Sequence, residues 1–188
     1  MHIVGLSGSN VGSKTRTAMS VTMDFLTKKH PDAEVTMIDL ANYEMVFSDG
    51  RDYRTYTGDT KYIAETIMAA DAIIIGTPIF QASIPAILKN IFDLLPVNAF
   101  RDKVVSMFVT AGSAKHYLIV EHQLKPILTY MKAQVVETYV FMEEKDFSRN
   151  ELINDDSVFR LERLVDDTYT MVNVLEKIRI EKDEAYDF

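Results

Sequence analysis

The sequence predicts a doubly wound α/β sandwich: a five-stranded parallel sheet, in the order 2-1-3-4-5, with helices on both faces. Three observations predict it. Apolar runs such as AIIIG and VVSMFV are continuous rather than alternating, as strands buried on both faces require. Five strand patterns alternate with five helical ones along the chain. No second set of strands follows, which favours a five-stranded order over a six-stranded dinucleotide-binding sheet, and either order places ligands beyond the C-terminal strand ends, where the winding reverses.

In chain order, hydrophobic period and turn punctuation place a first strand from His2 to Ser7 and, after a small polar loop, a helix from Lys14 to Lys29. A second strand, Glu34 to Leu40, leads into a long polar connection from Ala41 to Gly58 and a helix from Asp59 to Ala69. The third strand, Asp71 to Gly76, ends at a rigid corner, because Pro78 holds its own φ and pushes Thr77 towards extended geometry. Ser83 or Ile84 suits the N-cap of a helix from Pro85 to Leu95, with Pro85 at the first helical position and Pro96 closing it. The fourth strand runs from Lys103 to Thr110 and the next helix from Ala114 to Met131. Pro126 cannot donate to the carbonyl of His122, so that helix should kink or bulge there. The fifth strand, Gln134 to Phe141, is followed by a second polar connection from Met142 to Asp156. The last helix, Ser157 to Lys182, carries Leu161, Leu164, Val165, Met171, Val172, Leu175 and Ile178 at mixed three- and four-residue steps, the stripe of a helix lying on a core. Each long connection suits a lid, a partner surface or a solvated loop, and the tail EKDEAYDF suits a solvated end.

Composition narrows the class. With 188 residues the chain suits one domain, and 47% hydrophobic residues at a mean hydropathy near zero fit a globular protein with little disorder. No apolar run reaches the roughly 18 residues that a membrane span needs, and MHIVGL lacks the basic region and cleavage site of a signal peptide, so a cytoplasmic protein is expected. The absence of cysteine excludes disulfides, thiolate nucleophiles and cysteine-bound metals together, so any redox chemistry must come from a cofactor. A net charge of −8 argues against nucleic acid, whose binding depends on lysines and arginines releasing counterions.

Two loops carry the chemistry. In SGSNVGSKTRT, Gly8 and Gly12 permit tight turns, and Ser9, Ser13, Thr15 and Thr17 offer hydroxyls at a helix N-terminus, where free N–H groups and the dipole favour a phosphate. Lys14 and Arg16 add local positive charge. The same composition also suits an ordinary N-cap with surface hydroxyls, and it is neither GxxxxGK[ST] nor GxGxxG. After the third strand, Thr77, Pro78, Ile79 and Phe80 form a rigid edge that can lie along a flat aromatic ring, although Ile79 and Phe80 also suit a plain core. His2 and His30 are expected exposed at element ends, His116 opens a helix, and no histidine pair has metal-ligand spacing. Glu143, Glu144, Asp146, Asp155 and Asp156 are expected as solvated charge on polar segments. Tyr117, Leu118, Ile119, Val120 and Leu124 make their helix apolar on more than one side, which predicts a partner helix in a homodimer or a dimer of dimers.

The pairing of GS-x₃-SKT-x-T with TPIFQASIPAILKNIFDLLP resembles the NADPH-dependent FMN reductases of flavodoxin-like fold, and the second segment is similar to the branch that supplies reduced flavin to alkanesulfonate monooxygenases. Thr77, Pro78, Phe80, Ser83, Lys89, Asp93, Leu94, Leu95 and Pro96 carry that likeness, with Phe80 where tyrosine is commoner. The stretch VTAGSAKHYLIVEHQLKPILTYMKAQ is similar to the family's fourth strand end and following helix, so the resemblance covers roughly residues 1 to 142. It implies FMN as cofactor, NADPH or NADH as donor, and hydride transfer between stacked rings without a protein nucleophile. By the same resemblance Ser9, Ser13, Thr15 and Thr17 hold the FMN phosphate, Lys14 or Arg16 could meet a 2′-phosphate, and Thr77, Pro78, Ile79 and Phe80 border the ring. Thr110, Ala111, Gly112 and Ser113 lie beneath its polar edge. The acceptor stays open: free FMN passed to a monooxygenase, or a quinone, azo compound or metal oxyanion reduced by tightly held FMN. The rival is a flavodoxin-like electron carrier that uses no nicotinamide, to which an acidic surface is suited.

Overall fold

In the computed structural model, which describes residues 1–186, β1 (His2–Ser7), β2 (Glu34–Asp39), β3 (Ala72–Pro78) and β4 (Val104–Ala111) pair in parallel in the order β2-β1-β3-β4, and β5 (Gln134–Val135) completes the sequence 2-1-3-4-5. This is the flavodoxin-like order. All seven residues of β3 are buried. Period-two alternation sends Ile73 and Ile75 to one face and Ala72 and Ile74 to the other. On the first face they meet Ile63 and Ile67 of α2 (Gly58–Ala69), Leu88 and Ile91 of α3 (Ala86–Leu94) and Leu128 of α4 (Lys125–Tyr130). The other face packs against Met19, Met23 and Leu26 of α1 (Lys14–Lys29) and Leu161, Leu164 and Val165 of α5 (Asp155–Tyr186). Among the described residues no helix is long and apolar enough to cross a membrane.

Several elements differ from expectation for identifiable reasons. The third strand continues past Gly76 to Pro78, because Pro78 still aligns with Thr110 and the next amide, Ile79, donates to the Thr110 carbonyl at 3.2 Å. The fifth strand is not continuous over 134–141. Its register against β4 slips by two residues between Val105↔Val135 and Phe108↔Val140, so the chain bulges and resumes as β6 (Val140–Glu143). The bulge lets the Tyr139 hydroxyl donate to the Tyr117 carbonyl and the Glu137 carbonyl accept from Lys125. The expected helix over 114–131 is a 3₁₀ turn (Ala114–His116), a π-helical turn (Val120–Leu124) and then α4, with the irregular turn falling where Pro126 withholds its amide. Pro85 is the N-cap of α3 rather than its first residue, and its carbonyl accepts from Leu88 and Lys89.

The connection 142–156 is not a plain loop. It closes into a short antiparallel hairpin of β7 (Phe147–Ser148) and β8 (Glu151–Leu152). Within it Asp146 is buried rather than solvated, accepting from the Glu143 amide and the Asn154 side chain at 2.7 Å each. The connection 41–58 is strapped to α2 and α3 by Asp59, Thr60 and Asn90. His2 and His30 are half-buried, not exposed: His2 meets the Thr36 hydroxyl, and His30 stacks on Tyr169 with ring centroids 3.7 Å apart. The last helix starts at Asp155 and runs through Tyr186, so most of the tail expected as a solvated end is helical, while Asp187 and Phe188 lie outside the described residues.

Candidate functional site

The pairings Ser7↔Gly76 and Pro78↔Thr110 bring the ends of β1, β3 and β4 to one edge of the sheet. A cleft of about 310 Å³ opens there. Its first wall is Val11, Gly12, Ser13, Lys14 and Thr15, its second Pro78, Ile79 and Phe80, its floor Thr110, Ala111 and Gly112, and Glu144 stands at its rim. A cavity of similar size, about 290 Å³, lies at the opposite strand ends, beside Met1, Asp71 and Asp102. Parallel sheets bind ligands at their C-terminal ends, so the first cleft is the candidate site.

The first wall is shaped by its own residues. Gly8 donates to the Gly76 carbonyl at 2.7 Å, and a Cβ on Gly8 would come within 3.0 Å of that oxygen and of Leu88. The Ser9 hydroxyl donates to the Val11 carbonyl at 2.6 Å and accepts from the Val11 amide at 3.2 Å, a local side-chain turn. Gly12 then takes φ +82°, with nothing near its missing side chain. Ser13 occupies the N-cap of α1 but makes no cap: its hydroxyl donates to Asn150 at 3.1 Å, and no acidic residue stands in the first turn. The first-turn amides of α1 therefore have neither an intrahelical acceptor nor a capping side chain. With the helix dipole behind them, they suit an anion.

The second wall is held from a distance. Phe80 and Ser83 exchange two backbone hydrogen bonds, of 2.9 and 3.0 Å, around Gln81 (φ 49°) and Ala82 (φ 59°). Left-handed geometry at both central positions is that of a type I′ turn, which ordinarily selects Asn-Gly. Here neither residue is glycine. Gln123 of the π-helical turn compensates, accepting from the Ser83 hydroxyl at 2.7 Å and donating to the Ala82 carbonyl at 3.3 Å. Phe80 is thereby kept at the cleft mouth, 37% exposed.

The residues singled out from the sequence divide among distinct places. Ser13, Lys14, Thr15, Pro78, Ile79, Phe80, Thr110, Ala111 and Gly112 line the cleft. Ser9 and Thr15 are buried, and the Thr15 hydroxyl pairs with that of Thr110 at 2.7 Å, tying the first wall to the floor. Thr77 lies within the sheet, its hydroxyl on the Pro78 carbonyl. Ser113 lines an adjoining cavity with Gln81, Ala82 and His116, which shares Ile79, Ala111 and Gly112 with the cleft. Arg16 and Thr17 stand on the outer side of α1, where Arg16 pairs with Asp39 at 3.4 Å and Thr17 meets the Asn150 carbonyl.

Glu144 was expected only as solvated charge, and Asn150 and Gln123 were not singled out. Glu144 extends from the turn after β6 to the Lys14 ammonium, which holds its carboxyl below the usual carboxylate range. Each of the three reaches the site from at least 40 residues away in sequence, so no local spacing announces it.

The cleft thus offers open amides and one ammonium on one side, an apolar and aromatic edge on the other, and a floor whose Gly112 leaves space above the backbone. That donor set fits a phosphate joined to a flat ring. It contains no histidine, cysteine or tyrosine, and no metal-holding cluster exists among the described residues. The comparisons agree with that chemistry. The family model for NADPH-dependent FMN reductase matches residues 1–147. An NAD(P)H-dependent FAD/FMN reductase of Geobacillus thermodenitrificans is 36% identical over 165 residues, 87% of this chain and 89% of the relative. An NADH:FMN oxidoreductase solved in its apo form superposes with a TM-score of 0.73 at 26% identity, covering 88% of this chain and 86% of that one. An oxidoreductase of Corynebacterium diphtheriae reaches 0.75 at 25% identity, covering 91% and 96%. With the matched family spanning all three strand ends that build the cleft, this chain belongs to the NADPH-dependent FMN reductases.

Proposed function

We propose that the cleft holds FMN, with the phosphate on the N-terminus of α1 and the ring between the 77–80 edge and the 110–113 floor, and that the chain works as an NAD(P)H-dependent FMN reductase. Ser13, Lys14 and the first-turn amides are the direct phosphate contacts, Ser9 and Thr15 keep the loop in shape, and Arg16 and Thr17 support it from outside. Thr77 and Pro78 set the angle of the edge on which Ile79 and Phe80 meet the ring, and Ala111, Gly112 and Ser113 bring backbone donors beneath it. The uncapped helix N-terminus facing an aromatic edge across one cleft is the observation that carries this reading.

FMN held by Ser13, Lys14 and the first-turn amides of α1 and bordered by Ile79 and Phe80 would supply the redox chemistry, the means of passing two electrons from a reduced nicotinamide to the acceptor. The protein's own share is binding and alignment, since no side chain in the cleft is placed as acid, base or nucleophile. The acceptor is either a monooxygenase that takes released reduced FMN or a small molecule reduced by held FMN, and a homodimer or homotetramer is the favoured assembly, because Tyr117 and Leu118 expose apolar surface on the segment before the π-helical turn. The chain is taken to act as a single domain in the cytoplasm.

The test is the visible spectrum of the protein with added FMN under anaerobic NADPH and NADH. Rapid bleaching by either nicotinamide is the expected result. Flavin that binds but stays oxidised with both would sink the reductase in favour of a carrier. Colour lost on desalting points to released FMN, and colour retained points to a prosthetic flavin serving a quinone- or azo-type acceptor.

A further inference from the structure

The segment between β6 and α5 returns to the start of α1 at three points, two of them on the anion wall of the cleft and the third just outside it. Glu144 pairs with Lys14, the Asn150 side chain accepts from Ser13, and the Asn150 carbonyl accepts from Thr17 at 3.4 Å. These partners are 130 to 137 residues apart, so the contacts are a product of the tertiary fold alone. The turn that carries Glu144 is fixed, because the buried Asp146 carboxylate takes the Glu143 amide and the Asn154 side chain, and its carbonyl takes the Ile153 amide at 2.8 Å. Among the described residues Glu144 is the one acid lining the cleft, and Lys14 the one cation. The ammonium nearest the open helix N-terminus is therefore neutralised by a carboxylate of the same chain. A ligand phosphate brings about −1.5 to −2 charges and three acceptor oxygens to the same place.

We propose that Glu144 is a built-in competitor of the ligand phosphate: it occupies Lys14 in the free site, yields it when a flavin nucleotide enters and reclaims it as the nucleotide leaves. The inference rests on the FMN reading of the cleft. An exposed ion pair is weak enough to be exchanged, with Glu144 70% exposed and Lys14 35% exposed. The dianion wins the exchange through the amides that Glu144 does not reach. Competition of this kind lowers affinity for phosphorylated flavins and speeds their release, while riboflavin, which has no phosphate, is indifferent to it. Glu144 thus sets both the residence time of FMN and the preference between FMN and riboflavin.

Flavin fluorescence titrations of the full chain, wild type and with Glu144→Gln, Lys14→Met or both, would test this with FMN and riboflavin, alongside stopped-flow dissociation. Glu144→Gln should tighten FMN binding about 3- to 10-fold, mainly through slower dissociation, and leave riboflavin within about twofold. In the Lys14→Met background the same change should gain less than about twofold, as a double-mutant cycle requires of partners that act through each other. Unchanged or weaker FMN binding in Glu144→Gln, an equal gain for riboflavin, or a full gain without Lys14 would each overturn the competitor role. Wild-type protein that binds neither flavin overturns the FMN reading itself and the competitor role with it, whereas wild type that binds FMN while Glu144→Gln changes nothing overturns the competitor role alone.

Discussion

The two walls of the cleft do similar work by different means. The loop after β1 turns on residues inside it, the Ser9 side-chain turn and Gly12 at positive φ, once Gly8 has fitted closely against the Gly76 carbonyl. The turn after β3 puts Gln81 and Ala82 into the left-handed conformation and relies on Gln123, some 40 residues on, to hold them there. One wall is specified locally, the other is clamped. The difference teaches where strain can be kept in a binding site: a locally specified loop is near its own minimum, whereas a clamped turn persists only while the surrounding fold over-determines it.

Substitutions at the backbone-critical positions should separate the two walls. The largest effect is expected from Gly8→Ala, whose new Cβ meets a backbone carbonyl that cannot retreat without disturbing the β1–β3 pairing, at a cost of about 2–3 kcal/mol. Denaturant midpoints measure it, and a loss below about 0.5 kcal/mol would show that the close approach relaxes easily. A smaller, mirror-image pair comes next. Gly12→Ala should cost about 1 kcal/mol, since its φ of +82° strains any side chain despite the open space around it, and Ala82→Gly should gain about 1 kcal/mol by relieving the same strain on the other wall. Equal signs for the two would abolish the distinction between a relaxed and a clamped wall.

The same distinction decides what was legible in the sequence. The continuous runs of β3 and β4 announce strands buried on both faces, and Ser9 and Gly12 act within a few positions of themselves, so the sheet, its strand order and the turns of the first loop could be read directly. The irregular turn before α4 was legible too, because Pro126 withholds a donor wherever it sits in a helix. The bulge in the fifth strand was not, since VVETYVF carries the same β-forming residues on both sides of it, and the partners of Glu137 and Tyr139 at the slip, Lys125 and Tyr117, are set by the fold. Asp146 was misread for a related reason. Glu144 and Asp146 are equivalent as letters in a polar stretch, yet one is exposed at the cleft and the other buried in a turn, and only the fold distinguishes them. Gln123, Glu144 and Asn150 act on partners brought close by topology, which no motif records.

Gln123 allows the finest cut between the walls. Gln123→Leu keeps the side chain's bulk but deletes both hydrogen bonds to the turn, leaving a Ser83 hydroxyl and an Ala82 carbonyl that water can reach, so the expected cost in stability is only about 0.5–1 kcal/mol. Its effect on binding should be of the same size and tied to the ring rather than the phosphate. Once the turn is free to leave its left-handed geometry, Phe80 no longer waits at the cleft mouth, and any flavin must order it on arrival. FMN and riboflavin should therefore both lose about two- to fivefold in affinity, by a common factor, in the titrations that separate them for Glu144. A loss confined to FMN would place Gln123 on the phosphate side of the site and refute the clamp. A common loss would mean that the wall least legible in the sequence sets ring binding, while the wall most legible in it governs only the phosphate.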